Sequence, residues 1–278
     1  MILVTGPTGT IGSHVVGELA RAHVPTRALI RSPDRGANLP DGVEPVVGDL
    51  ESLDGALDGV EHLFLMSPPS PDQMRMESGA IDAARKAGVK HVVKLAAAGA
   101  SPQAPARFTR QHGELCDYLR GSGMDYTLVM PTDYMSNLLN QAGSVRDRAT
   151  LYAADAEAYV ASVHPADVGA VAARALQGGH EREELVVTGP DSCSPRDIAA
   201  KLSTVLGREI ELVALDSDAL LNGMLSAGVP EWNAEGLLEL YAVYSTGAAA
   251  TPTDTVADVL GRPPRSWDEF IRENSGSF

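Results

Sequence analysis

The chain opens on an apolar run, Met1-Ile2-Leu3-Val4, that leads into Thr5-Gly6-Pro7-Thr8-Gly9-Thr10-Ile11-Gly12-Ser13 and then into a helical pattern. This order of strand, glycine turn and helix constrains the fold more than any other stretch. Small residues at Gly6, Gly9 and Gly12 let the backbone approach whatever sits in the turn. The helix that follows presents unpaired N–H groups and the positive end of its dipole. Such a turn suits a pyrophosphate, so a dinucleotide is the expected ligand, held by Gly6, Thr8, Gly9, Thr10, Ile11 and Gly12. A glycine pattern alone is weak, because a glycine-rich chain produces such spacings by chance. Context strengthens it: Ile11, Val15, Val16, Leu19 and Ala20 recur at helical spacing after the apolar run. The plain alternative is an ordinary strand-to-helix loop.

Strand and helix patterns then alternate. Strands are predicted at 26–31, 43–47, 62–66, 91–96 and 126–131, with helices at 71–87, stopped by Gly88, and from a Pro- and Ala-rich loop at Pro105 to about residue 120. Short apolar strands separated by helices imply an α/β fold, a doubly wound parallel sheet of Rossmann type that binds ligands at the carboxyl ends of its strands. After Pro131 the alternation loosens: 132–158 is mixed, 159–163 reads as a strand, 165–176 as a helix and 185–187 as a short strand. Ser194-Pro195 starts a helix with a capping serine and a proline at the first helical position. Helical stretches at 216–227 and 231–244 precede a tail over 253–278. The organisation expected is a nucleotide-binding core over 1–150, completion of the sheet over 151–190, and a small, mostly helical substrate lobe over 191–278, with no hard boundary.

Composition narrows the partners. A formal net charge of −15 argues against nucleic acid or an anionic membrane, so a dinucleotide's phosphates must be held by local N–H groups and a few arginines. With Met1 one residue from the first strand no secretory leader is expected, and no apolar run approaches membrane-spanning length. The two cysteines, Cys116 and Cys193, lack a Cys-x-x-Cys spacing and read as reduced thiols of a cytoplasmic protein. The seven histidines are scattered, and no metal site is expected.

An acidic residue at the end of the second strand usually marks NAD, because it accepts from the ribose hydroxyls. Arg31 stands there instead, followed by Ser32-Pro33-Asp34-Arg35. A guanidinium grips an extra 2′-phosphate bidentately and stacks on adenine, which favours NADP. The alternatives are a solvated surface arginine, and Asp34 reaching the ribose. Asp49 either caps a helix starting near Leu50 or accepts from the adenine amino group. Met66 and Ser67, before Pro68-Pro69, are expected to wall the nicotinamide ribose, and Ala96 lies at the end of the fifth strand.

The glycine turn resembles that of the short-chain dehydrogenases, in their extended and atypical branches. These mostly place a Tyr four residues before a Lys, so that the lysine lowers the phenol's pKa and the tyrosine protonates the substrate oxygen. Here the residues four before Lys86, Lys90, Lys94 and Lys201 are Asp82, Lys86, Lys90 and Asp197. The acid is missing, and Phe108-Thr109-Arg110-Gln111-His112 occupies the helix where it would stand. Together with the turn, Arg31-Ser32-Pro33, Gly48-Asp49-Leu50, Leu95-Ala96-Ala97, His112, Glu114, Ser122-Gly123, Tyr126-Thr127-Leu128 and Tyr134-Met135-Ser136-Asn137 resemble the NmrA-like atypical short-chain dehydrogenases, in particular their flavin-independent NADPH:quinone oxidoreductase branch. That resemblance implies NADP on a Rossmann core, in a family that holds both reductases and cofactor-sensing regulators.

Chemistry separates these readings. Reducing an ordinary ketone makes an alkoxide about as basic as hydroxide and needs a strong, positioned acid. Hydride addition to a quinone gives a phenolate-like oxygen with a pKa of about 10, for which water or a modest donor suffices. The expected function is therefore NADP-dependent hydride transfer, without flavin or metal, to a quinone or similar conjugated aromatic carbonyl. Candidate donors are His112, Tyr134 and Asn137, each with a plainer alternative: a helix-surface residue, a loop anchor and a helix-start hydrogen bonder. The rival is an NADP-binding redox sensor acting through a protein partner, and a third reading is a tailoring enzyme of aromatic natural products.

Overall fold

Residues 1–53 and 55–278 are described by a computed structural model. The apolar run of the N-terminus becomes β1 (Ile2–Val4), and the glycine turn leads into α1 (Thr10–Arg21). Then follow β2 (Thr26–Ile30), β3 (Val43–Val47), β4 (His62–Leu65), α2 (Gln73–Ala87), β5 (His91–Leu95), α3 (Arg107–Arg120) and β6 (Asp125–Pro131). Gly88 ends α2 in the left-handed region at φ 82°, which a side chain would strain. The later elements are α4 (Ala142–Arg148), β7 (Thr150–Ala153), α5 (Pro165–Ala175), β8 (Glu183–Val187), α6 (Pro195–Leu206), β9 (Glu211–Ala214), α7 (Ser217–Ser226), α8 (Glu231–Tyr244), α9 (Thr255–Leu260) and α10 (Trp267–Glu273).

The chain divides into two compact units interleaved in sequence, and these cut across the ranges 1–150, 151–190 and 191–278 expected from sequence. The first comprises 1–104, 109–130 and 165–186; the second comprises 105–108, 131–164 and 187–278. In the first, a seven-stranded sheet runs β3-β2-β1-β4-β5-β6-β8. β1 pairs in parallel with both β2 and β4, Ile2 lying beside Thr26 on one side and His62 on the other. The winding therefore reverses between β1 and β4, and the crevice at their carboxyl ends is where a Rossmann sheet takes its nucleotide. Helix α5 lies against α1 closely enough that a Cβ on Gly169 would come within 2.3 Å of the His14 Cβ. Leu3, Leu63, Leu65, Ile81, Val92, Leu119 and Leu128 form one buried cluster of this unit.

The second unit is built on Met135, Leu138, Val145, Leu151, Leu202, Trp267, Phe270 and Ile271, with β7 and β9 as a two-stranded parallel sheet. Of these two strands β9 falls within 191–278, the range expected to be mostly helical, and β7 precedes it. Ser194 caps α6 in a reciprocal box with Asp197, as the sequence predicts.

Three local expectations fail. Residues 159–163 form no strand, because their backbone partners change from one residue to the next: Val160 pairs with Cys193, Ala161 donates to Ala249, and Val163 donates to Asp133. The tail folds into α9 and α10, and Trp267, Phe270, Ile271 and Phe278 are buried. Its overlooked signal was a second capping box, Ser266 with Glu269, ahead of apolar residues at helical spacing. No helix starts near Leu50 among the described residues. Gly55 and Gly59, at φ 75° and 70°, interrupt that stretch.

Candidate functional site

The glycine turn is shaped mostly by its own backbone. Gly6 takes φ 60°, and Thr5 ties the turn to the end of β4: its Oγ1 donates to the Met66 carbonyl and accepts from the Met66 N–H, both at 2.9 Å. A Cβ on Gly12 would lie 2.0 Å from the Gly6 carbonyl oxygen, so the turn itself forbids one. A Cβ on Gly9 would meet only that same oxygen, at an ordinary 3.4 Å. The space over Gly9 is thus not claimed by the protein, and it lies at the N-cap of α1, which has no side-chain cap. Thr8, Gly9 and Thr10 are exposed there, whereas the Ile11 side chain is in the core, leaving its N–H as its contribution. These features fit a pyrophosphate.

A cavity of about 650 Å³ opens beside the turn, lined by residues that include Thr8, Ser13, Ser32, Asp34, Arg35 and Asn38. Arg31 is exposed just past β2 and is not among the lining residues; Arg35, in a short 3-10 turn at Pro33–Gly36, is. The Pro33 turn after the strand end is what brings the next arginine, Arg35, round to the cavity. Asp49 caps a turn, its Oδ1 accepting from Glu51 and Ser52 N–H at 2.9 and 3.0 Å. Leu50 packs on the core of this unit, and Ala96 is buried with its N–H on the Val129 carbonyl at 2.8 Å.

Beneath the strand ends lies a polar network missed from sequence. Lys94, next to the end of the buried strand β5, is fully buried and pairs with the equally buried Glu77 of α2. The Ser67 hydroxyl donates to Glu77 Oε1 at 2.7 Å and the Gln73 amide to the same oxygen at 3.2 Å. Ser67, expected to face the cofactor, thus has its hydroxyl committed to this network. Burial pushes the Glu77 carboxyl up, but the Lys94 ammonium, aided by His112 and Ser67, more than reverses that and holds it below its ordinary value. A lone lysine in an apolar strand was the available signal, since such a charge needs a carboxylate partner. Half-buried His112 of α3 lies near this pair, its Nδ1 enclosed without a partner. Burial first, and the Lys94 charge second, push its imidazole down to about 3, so it is neutral at physiological pH.

Tyr134 and Asn137 belong to the second unit, so the three expected acceptor-side residues divide between the units. Asp133 ties their segment together: its Oδ1 accepts from Asn137 Nδ2 at 2.7 Å and its Oδ2 from Ser162 Oγ at 2.9 Å. Burial pushes this carboxyl up, and the hydrogen bonds from Ser162, Asn137 and the Tyr134 backbone pull it back in part. Burial, then the Asp133 charge, raise the Tyr134 phenol, and the same two causes push Tyr241 up to about 12. Tyr244 is raised as well, and its hydroxyl donates to the Thr132 carbonyl at 3.1 Å. Among the described residues no group of three His, Cys, Asp or Glu could hold a metal ion, and no helix is long and apolar enough to cross a membrane.

Known proteins share this architecture. Residues 6–178 match the sequence model of a family described as NAD(P)H-binding. The chain is 39% identical over 283 residues to the NAD(P)H azoreductase of Xenophilus azovorans, covering 100% of this chain and 99% of that protein. It is 40% identical over 285 residues to the (4-alkanoyl-5-oxo-2,5-dihydrofuran-3-yl)methyl phosphate reductase of Streptomyces griseus subsp. griseus, with coverage of 100% and 99%. The NADPH complex of the Escherichia coli NADPH-dependent quinone oxidoreductase QOR2 superposes with a TM-score of 0.90 at 27% identity, over 98% of this chain and 99% of that one.

Proposed function

Because the chain belongs to the NAD(P)H-binding family, we propose that it is an NADPH-dependent reductase that passes hydride directly to a quinone or similar conjugated aromatic acceptor, with neither flavin nor metal. The observation that carries the reaction class is the protonation state of the candidate donors. The His112 imidazole is pushed down to about 3 and the Tyr134 phenol is raised, so neither is an acid poised near neutrality. A neutral imidazole and a neutral phenol still donate hydrogen bonds. Such donors suffice for an acceptor that becomes a phenolate-like oxygen, and they fall short for one that becomes an alkoxide. The named activities of the relatives fit, since azo compounds, acyl-furanones and quinones all offer a conjugated electrophilic centre.

The bound dinucleotide supplies the hydride. The first turn of α1 and the exposed Gly9 cradle its pyrophosphate, and Arg35 and Arg31 hold the 2′-phosphate that selects NADPH. Asp34, in the same lining, offers the ribose of NADH an acceptor, which limits that selectivity. Met66 and Ala96 lie at the carboxyl ends of adjacent strands, where the nicotinamide side of a Rossmann site is formed. His112, Tyr134 and Asn137 are the acceptor-side residues. The free cysteines, both buried, suit a reducing cytoplasm. NADPH absorbance is expected to fall when simple quinones are added without flavin, and ordinary ketones to be inert. Consumption no faster than the uncatalysed background across a broad quinone panel would leave the protein a cofactor sensor.

A further inference from the structure

Helix α3 starts in the second unit and continues into the first, and its start is gripped by one face of α8. Trp232, Glu235, Gly236 and Glu239 share that face at helical spacing. Arg107, the first residue of α3, donates from its backbone N–H to Glu239 Oε2 at 2.7 Å, and from Nε and Nη2 to Glu239 Oε1 at 3.0 and 2.6 Å. Its Nη1 donates to Glu235 Oε2 at 3.0 Å and to the Trp232 carbonyl at 3.1 Å, and the guanidinium lies 5.5 Å from the centre of the Trp232 ring. The next residue, Phe108, packs on Trp232 with ring centroids 5.4 Å apart. A Cβ on Gly236 would lie 2.5 Å from the Phe108 Cζ, so a glycine is what lets α8 come this close.

This grip exceeds what a helix start requires. One nearby Ser, Thr, Asp or Asn caps a first turn, as Ser194 does for α6. At α3 an acceptor comes from 132 residues away, on a charge-assisted fork that fixes direction as well as position. His112 follows Phe108 by four residues, on the same side of α3 and about 6 Å further along it. A hydrogen-bonded helical turn is stiff, so the place at which α8 holds Arg107 and Phe108 carries through to the imidazole. We infer that Glu235, Gly236 and Glu239 of α8, acting through Arg107 and Phe108, are positioning residues for His112 as a hydrogen-bond donor to the acceptor. This inference rests on the hydride-transfer reading above and deepens its acceptor side. A neutral donor works only when it is well aligned, and a misplacement of about 1 Å by residues far from the chemistry costs up to about a hundredfold in rate.

The test is a double-mutant cycle, read on the reduction of menadione by NADPH. Glu239→Gln, which keeps an oxygen for the Arg107 N–H but not the charge, and Gly236→Ala are each expected to lower kcat about tenfold and to leave the Kd of NADPH within about twofold. In a His112→Ala background the same two substitutions are expected to change kcat by less than about twofold. Equal losses in both backgrounds would mean that the grip only stabilises the fold, and they overturn the inference. A His112→Ala protein as fast as the unmutated one overturns it too, with hydride transfer itself left standing. A second measurement needs no turnover. In protein carrying nitrogen-15-labelled histidine, Glu239→Gln should shift the imidazole signals of His112, identified by their loss in His112→Ala. Those of His62 and His91, at the amino ends of β4 and β5, should stay in place. If the unmutated protein reduces no quinone, the hydride-transfer reading fails and these signals alone judge the positioning. Unmoved His112 signals overturn it, whether or not Gly236→Ala folds.

Discussion

At the scale of single residues, the glycines of the turn separate by what a side chain would meet. A Cβ on Gly12 would lie 2.0 Å from the Gly6 carbonyl oxygen, so Gly12→Ala must displace backbone and is expected to lower the melting temperature strongly. Gly9 has only a 3.4 Å contact, so Gly9→Val should fold while its side chain fills the pyrophosphate's place. Calorimetry should then show a stable protein without dinucleotide affinity, and retained affinity would place the ligand elsewhere. Cofactor choice turns on the arginines. Arg35 lines the cavity beside the turn, and losing a charge-assisted bond to phosphate costs about 1.5–3 kcal/mol. Arg35→Ala should therefore weaken NADPH about ten- to a hundredfold with NADH little changed, and Arg31→Ala should have the smaller effect. Tighter binding of NADH than NADPH by the unmutated protein would contradict both.

At the scale of elements, the pair between Lys94 of β5 and Glu77 of α2 joins strand and helix inside the first unit. Removing one member leaves the other charge buried and alone. Lys94→Met is thus expected to destabilise by about 3–5 kcal/mol, and Lys94→Met with Glu77→Leu to recover most of that loss. Denaturant titrations of the two variants check it; equal loss in both would mean that the pair does not act as a unit. The elements themselves were largely legible, because a strand of alternating or continuous apolar residues and a helix with a capping serine are encoded within a dozen neighbours. Where legibility failed, at 159–163, the residues were apolar enough for a strand, but each backbone group found a different partner far along the chain.

At the scale of the whole molecule, acid should unfold this protein early. Burial holds His62, His91 and His112 below the ordinary histidine value, His112 at about 3. The unfolded chain therefore binds protons that the folded chain refuses. The corresponding stability is full above the unfolded value near 6.5 and drains away as pH falls towards the folded values. The melting temperature should drop steadily below about pH 6.5, and a flat profile down to pH 5 would show that these imidazoles titrate as in the unfolded chain. The order of strands and helices, the glycine turn at the first crossover, the arginines after β2 and the absence of a Tyr-x-x-x-Lys acid can be read from the chain alone, since each depends on residues close together in it. Folding in three dimensions was needed to bring Lys94 to Glu77, 17 residues away. It likewise decided that Asp133 meets Ser162, 29 residues on, and that Tyr241 and Tyr244 return to share its surroundings. Such meetings have no local pattern, because what selects them is the energy of burying a charge or a ring once the layers have packed.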